Sequence, residues 1–288
     1  MLLLEFVGDL GGEGGEGNVA PAQFLSRFLV QGRGERQYGK PMIWPLLLAV
    51  LGAIVGSFLA TIVVRWPEGR RVRDGRSACD ACGATLRATE LVPLASAIVQ
   101  RGRCRRCDAR IDPRHMWIEL GCTLIGAAAG YVAPGPVGAA GAMFGWLLLT
   151  LAALDMAALW LPDALTGALA LAGVATGALG VIPAIEDRLI GGAIGFATLW
   201  AIARGYRLMR GRDGLGGGDP KLFGAIGLWL GWRLLPGVML LAALVGLGAV
   251  LAARLSGREV AADAKLPFGA FLAIAAYPAW LMMIGLGA

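Results

Sequence analysis

Two aspartates and four cysteines are the residues whose types and surroundings can do chemistry in this chain. Asp219 follows three glycines in Gly216-Gly217-Gly218-Asp219-Pro220-Lys221 and opens an apolar segment, whereas Asp155 closes another that begins near Trp146. An ionisable side chain at the edge of hydrocarbon is a functional candidate by default. Two carboxylates brought close together cannot both ionise cheaply and tend to share a proton. The ionised member can then take a proton from water while the protonated one polarises a carbonyl, which is acid/base hydrolysis. The glycines tolerate backbone angles other residues resist, so a substrate backbone is expected to approach closely there. Pro220 suits the first turn of a helix. Gly216, Gly217, Gly218 and Lys221 therefore count as supporting residues, Lys221 as a cation near Asp219. Asp163, in Leu161-Pro162-Asp163, is the rival to Asp155, but an aspartate after a proline at a helix start often only caps exposed amides.

The cysteines stand as Cys79-Asp80-Ala81-Cys82 and Cys104-Arg105-Arg106-Cys107. Two such pairs, separated by slightly more than the ~15–20 residues of a zinc ribbon, predict one tetrahedral zinc with no open position, hence a structural one. Gly83 eases the turn after the first pair. Two redox dithiols are the competing reading, and paired motifs of this kind point to a reducing compartment rather than to disulfides. The fifth, Cys122, reads as a small core residue.

These groups need elements to hold them, and composition says which. With 57% hydrophobic residues, only 16% charged and a mean hydropathy of +0.67, the 288-residue chain carries more apolar surface than a soluble core uses. It reads as an all-α polytopic membrane protein. Eight apolar runs are expected to span: Met42–Val64, Met116–Val132, Val137–Ala158, Leu161–Ile182, Leu189–Ala203, Lys221–Trp232, Leu234–Ala253 and Phe268–Leu286. Several are short or glycine-rich for a ~30 Å hydrocarbon layer. In the first, Gly52, Gly56 and Ser57 place small residues on one face, which permits close helix contact in lipid. Glu119 lies inside an apolar run and must find a partner or a polar cavity; His115 reads as interfacial.

The division that follows is an N-terminal extension (1–41), a first transmembrane helix (42–64), a cytoplasmic four-cysteine module (65–115) and a transmembrane domain (116–288). Within the extension, residues 24–30 could lie on a membrane surface as a short amphipathic helix, and no cleavable leader is apparent. The net charge of +6 sits beside apolar runs, as at cytoplasmic flanks, so no nucleic-acid partner is expected. Arginine crowds the cysteine module and recurs at 204, 207, 210 and 212 and again at 254 and 258. Placing these on the cytoplasmic side puts Asp155, Asp163 and Asp219 on that side too, while the loop holding Glu186-Asp187-Arg188 falls on the other.

Taken together, Gly56-Ser57-Phe58-Leu59 with Arg65-Trp66-Pro67, the two cysteine pairs, Leu91-Val92-Pro93-Leu94-Ala95-Ser96, Arg101-Gly102-Arg103-Cys104, Ile118-Glu119-Leu120, Asp155 with Leu161-Pro162-Asp163, the glycine run to Leu222, and Pro267-Phe268-Gly269-Ala270-Phe271 resemble, in order and spacing, the bacterial prepilin peptidases. These are membrane aspartic proteases of type IV pilus and type II secretion systems. The resemblance covers nearly everything from Met42 onward. It implies removal of the basic leader from prepilins or pseudopilins at the cytoplasmic face of the inner membrane, with Asp155 and Asp219 as the catalytic pair. For members with the cysteine module it also implies N-methylation of the new N-terminus with S-adenosylmethionine. The chain departs from the pattern in its N-terminal extension and in Ala270, where the family commonly has proline; neither departure is expected to touch the chemistry. A proton-coupled transporter is the alternative, since buried aspartates also serve as proton relays. It predicts charges near mid-membrane and an internal repeat.

Overall fold

The computed structural model describes residues 42–70, 77–212, 214–257 and 265–287. The N-terminal extension, Arg71, Arg73, Asp74, Arg76, Asp213 and Arg258 lie outside the described residues. Among the described residues the fold is all-helical: α1 (Ile43–Arg65), the one-turn α2 (Ala95–Val99), α3 (Pro113–Val132), α4 (Pro136–Ala158), α5 (Asp163–Ala178), α6 (Ile185–Arg210), α7 (Asp219–Leu230), α8 (Leu235–Leu255) and α9 (Phe268–Leu286).

Each of the eight apolar runs is a helix, but they are not eight equal spans. Five (α1, α4, α6, α8 and α9) are long and apolar enough to cross a membrane, which makes this a multi-pass membrane protein. Of the others, α3 has 20 residues but carries Arg114 and Glu119 in its first two turns, α5 has 16 residues and α7 only 12. At ~1.5 Å per residue α7 covers about 18 Å, well short of the hydrocarbon layer. Helix α6 exceeds its apolar run at both ends, because Glu186 and Asp187 in its first turn and Arg207 and Arg210 in its last complement the helix dipole.

Small residues set how closely the helices approach, as lipid supplies no hydrophobic drive between them. Gly52 and Gly56 of α1 lie against the backbone of Cys122 and Glu119 in α3, and Gly126 of α3 lies against Leu48. A second seam joins α6 to α7, where Gly191 meets Gly227 and Gly195 meets the carbonyl of Phe223. That antiparallel register places Asp219 level with Leu199, eleven residues, or about 16 Å, short of the end of α6. The shortness of α7 thus recesses its first residue below its neighbour's end.

The far end of α7 is fixed by Arg188, which the sequence placed in a loop. It is instead fully buried in α6. Its guanidinium donates to the carbonyls of Val181, Ile182 and Pro183 in the preceding loop, Gly173 in α5 and Leu228 in α7, and to the Thr176 hydroxyl. Carbonyls near the C-terminal ends of α5 and α7 carry partial negative charge, so a cation is favoured there, and among the described residues no carboxylate pairs with it. Trp229 stacks on Phe144 of α4 and donates its indole N–H to the Leu169 carbonyl at 2.8 Å, which closes the core around α4, α5 and α7.

Candidate active site

Three helix ends meet where the aspartates lie: the last turn of α4 brings Asp155, the first residue of α7 is Asp219, and the first turn of α9 brings Gly269 and Ala270. Asp155 is 5% exposed and Asp219 4%. A methyl group at Gly269 would stand 3.0 Å from Asp155 Oδ2 and 3.1 Å from Asp219 Oδ1. The two carboxylates therefore meet at a residue with no side chain.

Backbone amides hold both. Asp155 Oδ2 accepts the Ala270 N–H at 2.9 Å. Asp219 Oδ2 accepts the Gly216 N–H at 3.0 Å, and its own amide returns a bond to the Gly216 carbonyl at 3.2 Å. Read from the sequence alone, Ala270 has no part in the site; the structure brings its amide to Asp155. Proline has no N–H to give, so alanine here supplies a donor to one of the two carboxylates. Sequence reasoning also missed Gly269; the signal available was the Pro267–Phe271 stretch opening the last span.

The glycine run works otherwise than expected. None of Gly216, Gly217 and Gly218 has a positive φ. What they provide is room: a Cβ on Gly218 would come 2.7 Å from that of Leu161, and one on Gly216 3.2 Å from Asp219 Oδ2, whereas Gly217 faces open space. Lys221 turns away from Asp219 and pairs with Asp163 at 2.7 Å, both side chains well exposed. Asp163 is the first residue of α5 and caps no amide; its carboxylate links the starts of α5 and α7 at the surface, outside the buried pair.

The cysteines form a second constellation. Their sulfurs all lie within 4.8 Å of one another, and Cys79 and Cys107 are 3.9 Å apart. Tetrahedral bonds of ~2.3 Å require sulfurs about 3.8 Å apart, so the four thiols fit one ion. Each pair sits on a tight loop: the Gly83 amide donates to the Cys79 carbonyl and the Asp108 amide to the Cys104 carbonyl. Both Gly83 (φ 67°) and Asp108 (φ 58°) adopt the left-handed conformation this turn requires, with aspartate among the few residues that tolerate it. The amides of Cys107 and Arg106 hold the Cys104 thiol down to about 7, so one ligand is ready as thiolate near neutrality. The nearby acids are already engaged: Glu68 and Asp80 with Arg70, Asp108 with Arg103, and Glu90 with the Arg87 amide.

Fold and geometry define a class: a multi-pass helical membrane protein with a recessed carboxylate pair and a four-thiol module on the polar segment between α1 and α3. Residues 50–132 match the Bacterial Peptidase A24 N-terminal domain and residues 142–251 the Type IV leader peptidase family. A protein of Burkholderia pseudomallei (strain 1026b) is 41% identical over 78% of this chain and 81% of its own. One of Aeromonas hydrophila is 33% identical over 86% and 93%, and one of Pseudomonas aeruginosa 34% over 84% and 91%. All three are named prepilin leader peptidase/N-methyltransferase. No solved structure matches. The chain belongs to the type IV leader peptidase family.

Proposed function

We propose that this chain is an aspartic endopeptidase that removes the basic leader from prepilins or pseudopilins, with Asp155 and Asp219 as its acid/base pair. The observation that carries the reading is the convergence of two buried carboxylates on Gly269, each held by a backbone amide. One ionised and one protonated carboxyl suffice: the first accepts a proton from water as its oxygen attacks the scissile carbonyl, and the second donates to the developing oxyanion. Gly217, which faces open space beside Asp219, leaves room for an extended substrate backbone. An extended segment is needed because helical peptide bonds are already hydrogen-bonded. Asp163 and Lys221 support the fold at the rim and take no part in proton transfer.

The metal is zinc, held by Cys79, Cys82, Cys104 and Cys107; four protein ligands leave no position for substrate, so its role is to fold the module. The relatives' names pair leader cleavage with N-methylation, and we extend both activities to this chain, the methyl group coming from S-adenosylmethionine. The arginine-rich ends support a cytoplasmic position at the inner membrane for both the module and the carboxylate pair. The transporter reading lacks support: the carboxylates stand at helix ends, and the relatives carry peptidase names. Incubating the purified chain with a detergent-solubilised prepilin tests the reading. A shift from precursor to mature size is expected; an unchanged precursor would refute it.

A further inference from the structure

Between the two cysteine pairs, residues 91–99 hold no charge in a segment otherwise crowded with arginine. Neither the carboxylate pair nor the four thiols draw on them. Their second half is α2. Val92, Ile98 and Val99 face outward, the last two each 71% exposed. Apolar side chains gathered on so short a stretch mark a surface that something else covers.

Hydrogen bonds and helix packing give this stretch a depth. The Leu94 amide donates to Glu119 Oε2 at 2.8 Å, and the Cα of Glu119 lies against Gly56 of α1, where an added Cβ would stand 2.9 Å away. Gly56 is the fourteenth residue of α1, so it stands about 21 Å from the start of that helix, short of the ~30 Å that crosses the hydrocarbon. Beyond it Ile62, Val63 and Val64 carry the apolar run on to Arg65. The Glu119 side chain leans toward the N-terminus of its own helix by only a few ångströms. The Leu94 turn therefore lies below the end of α1, at the level where acyl chains meet headgroups. Trp117, two residues before Glu119 and 63% exposed, is the kind of side chain that collects at this level. The backbone of the stretch is also closed as lipid requires. Pro93 has no N–H, that of Leu94 goes to Glu119, and those of Ala95, Ser96, Ile98 and Gln100 go to carbonyls within the stretch. Charge returns just past its end with Arg101, which is exposed and enters no ion pair among the described residues.

We propose that residues 91–99 are a foot by which the cysteine module stands in the bilayer. Val92, Ile98 and Val99 seat among the acyl chains of the adjoining leaflet, and Arg101 meets the phosphates of anionic lipids. Outward apolar side chains followed directly by a cation match, in order, the two layers of a leaflet. The module is then held to the membrane at a third place besides α1 and α3, whatever reaction the carboxylate pair performs.

The test places the photoreactive side chain p-benzoylphenylalanine at residue 98, and separately at residue 99, of the full chain in nanodiscs of mixed zwitterionic and anionic phospholipid. After irradiation, mass spectrometry of the tryptic peptides identifies what each position has bonded to. A control chain carries the same side chain at Thr85, which is exposed in the first cysteine loop, where Asp80 bonds Arg65 at the end of α1; helicity like that of the wild type qualifies each chain. Positions 98 and 99 should give phospholipid adducts at a yield several-fold above position 85. Those adducts should be enriched in the anionic lipid by about fivefold over its share of the disc, and Arg101→Gln should remove the enrichment while the adducts persist. Equal yields at all three positions, or no lipid adduct at 98 and 99, would overturn the proposal. Covalent dimers in place of lipid adducts would overturn it too and give the face to a second copy of the chain. No enrichment, or one unaltered in Arg101→Gln, would overturn the headgroup contact.

Discussion

Adding a single methyl group at residue 269 tests whether the space between the aspartates is what the chemistry depends on. In Gly269→Ala the new carbon would lie 2.8 Å from Leu161 Cδ1, 3.0 Å from Asp155 Oδ2 and 3.1 Å from Asp219 Oδ1. Ordinary contact begins near 3.4 Å, so each neighbour must retreat by roughly 0.3–0.6 Å. Both carboxylates must therefore shift, and a misplacement approaching ~1 Å at reacting groups costs on the order of 10²-fold in rate. Overpacking of one methyl costs ~1–3 kcal/mol, which a bundle of this size tolerates. Gly269→Ala should therefore stay folded, by thermal melting in detergent, while its initial rate of prepilin cleavage falls about 100-fold. Gly237→Ala in α8, whose added carbon meets nothing within 4 Å, is the matched control and should remain folded and cleave. Cleavage by Gly269→Ala within a few-fold of wild type would refute the picture of a pair spaced by a bare backbone.

Three further outcomes follow from the same geometry. Asp163→Asn and Lys221→Met each break an exposed ion pair of at most about 1 kcal/mol, so both should cleave at near wild-type rate; an inactive Asp163→Asn beside an active Asp155→Asn would reassign the first aspartate. Elemental analysis should find one zinc per chain, lost in Cys82→Ser; absence of zinc with all four thiols freely alkylated would remove the metal site. Arg188→Met strips the donors from several buried carbonyls and should destabilise the bundle by at least about 3 kcal/mol, seen as a lowered melting temperature, and an unshifted melt would show that those carbonyls find other partners.

What the sequence made legible is what side chains and run lengths encode. Every apolar run became a helix, and Asp155 and Asp219 stood out because carboxylates at the edges of such runs have few bland explanations. The cysteine pairs were readable for the same reason, and so was the small face of α1, whose Gly52 and Gly56 lie against the backbone of α3. Gly269 and Ala270 were not, since their contribution is an absent side chain and a backbone N–H, neither of which marks a sequence. The glycine run misled in kind: conformational freedom was expected, and close packing was found at Gly216 and Gly218. Arg188 read as a loop charge because its acceptors are carbonyls of segments up to forty residues away. Lys221 read as a partner for Asp219 through proximity in sequence, but two residues along a helix point to different sides, and it turned to Asp163.

The central claim is that Asp155 and Asp219 act together as the proton-exchanging pair. Asp155→Asn and Asp219→Asn, singly, preserve side-chain shape and can still accept the Ala270 and Gly216 amides, but cannot carry the proton. In a prepilin cleavage assay with the purified, folded variants, each should leave the precursor uncut at times when wild type has converted it fully. Measurable turnover by either variant would contradict the account.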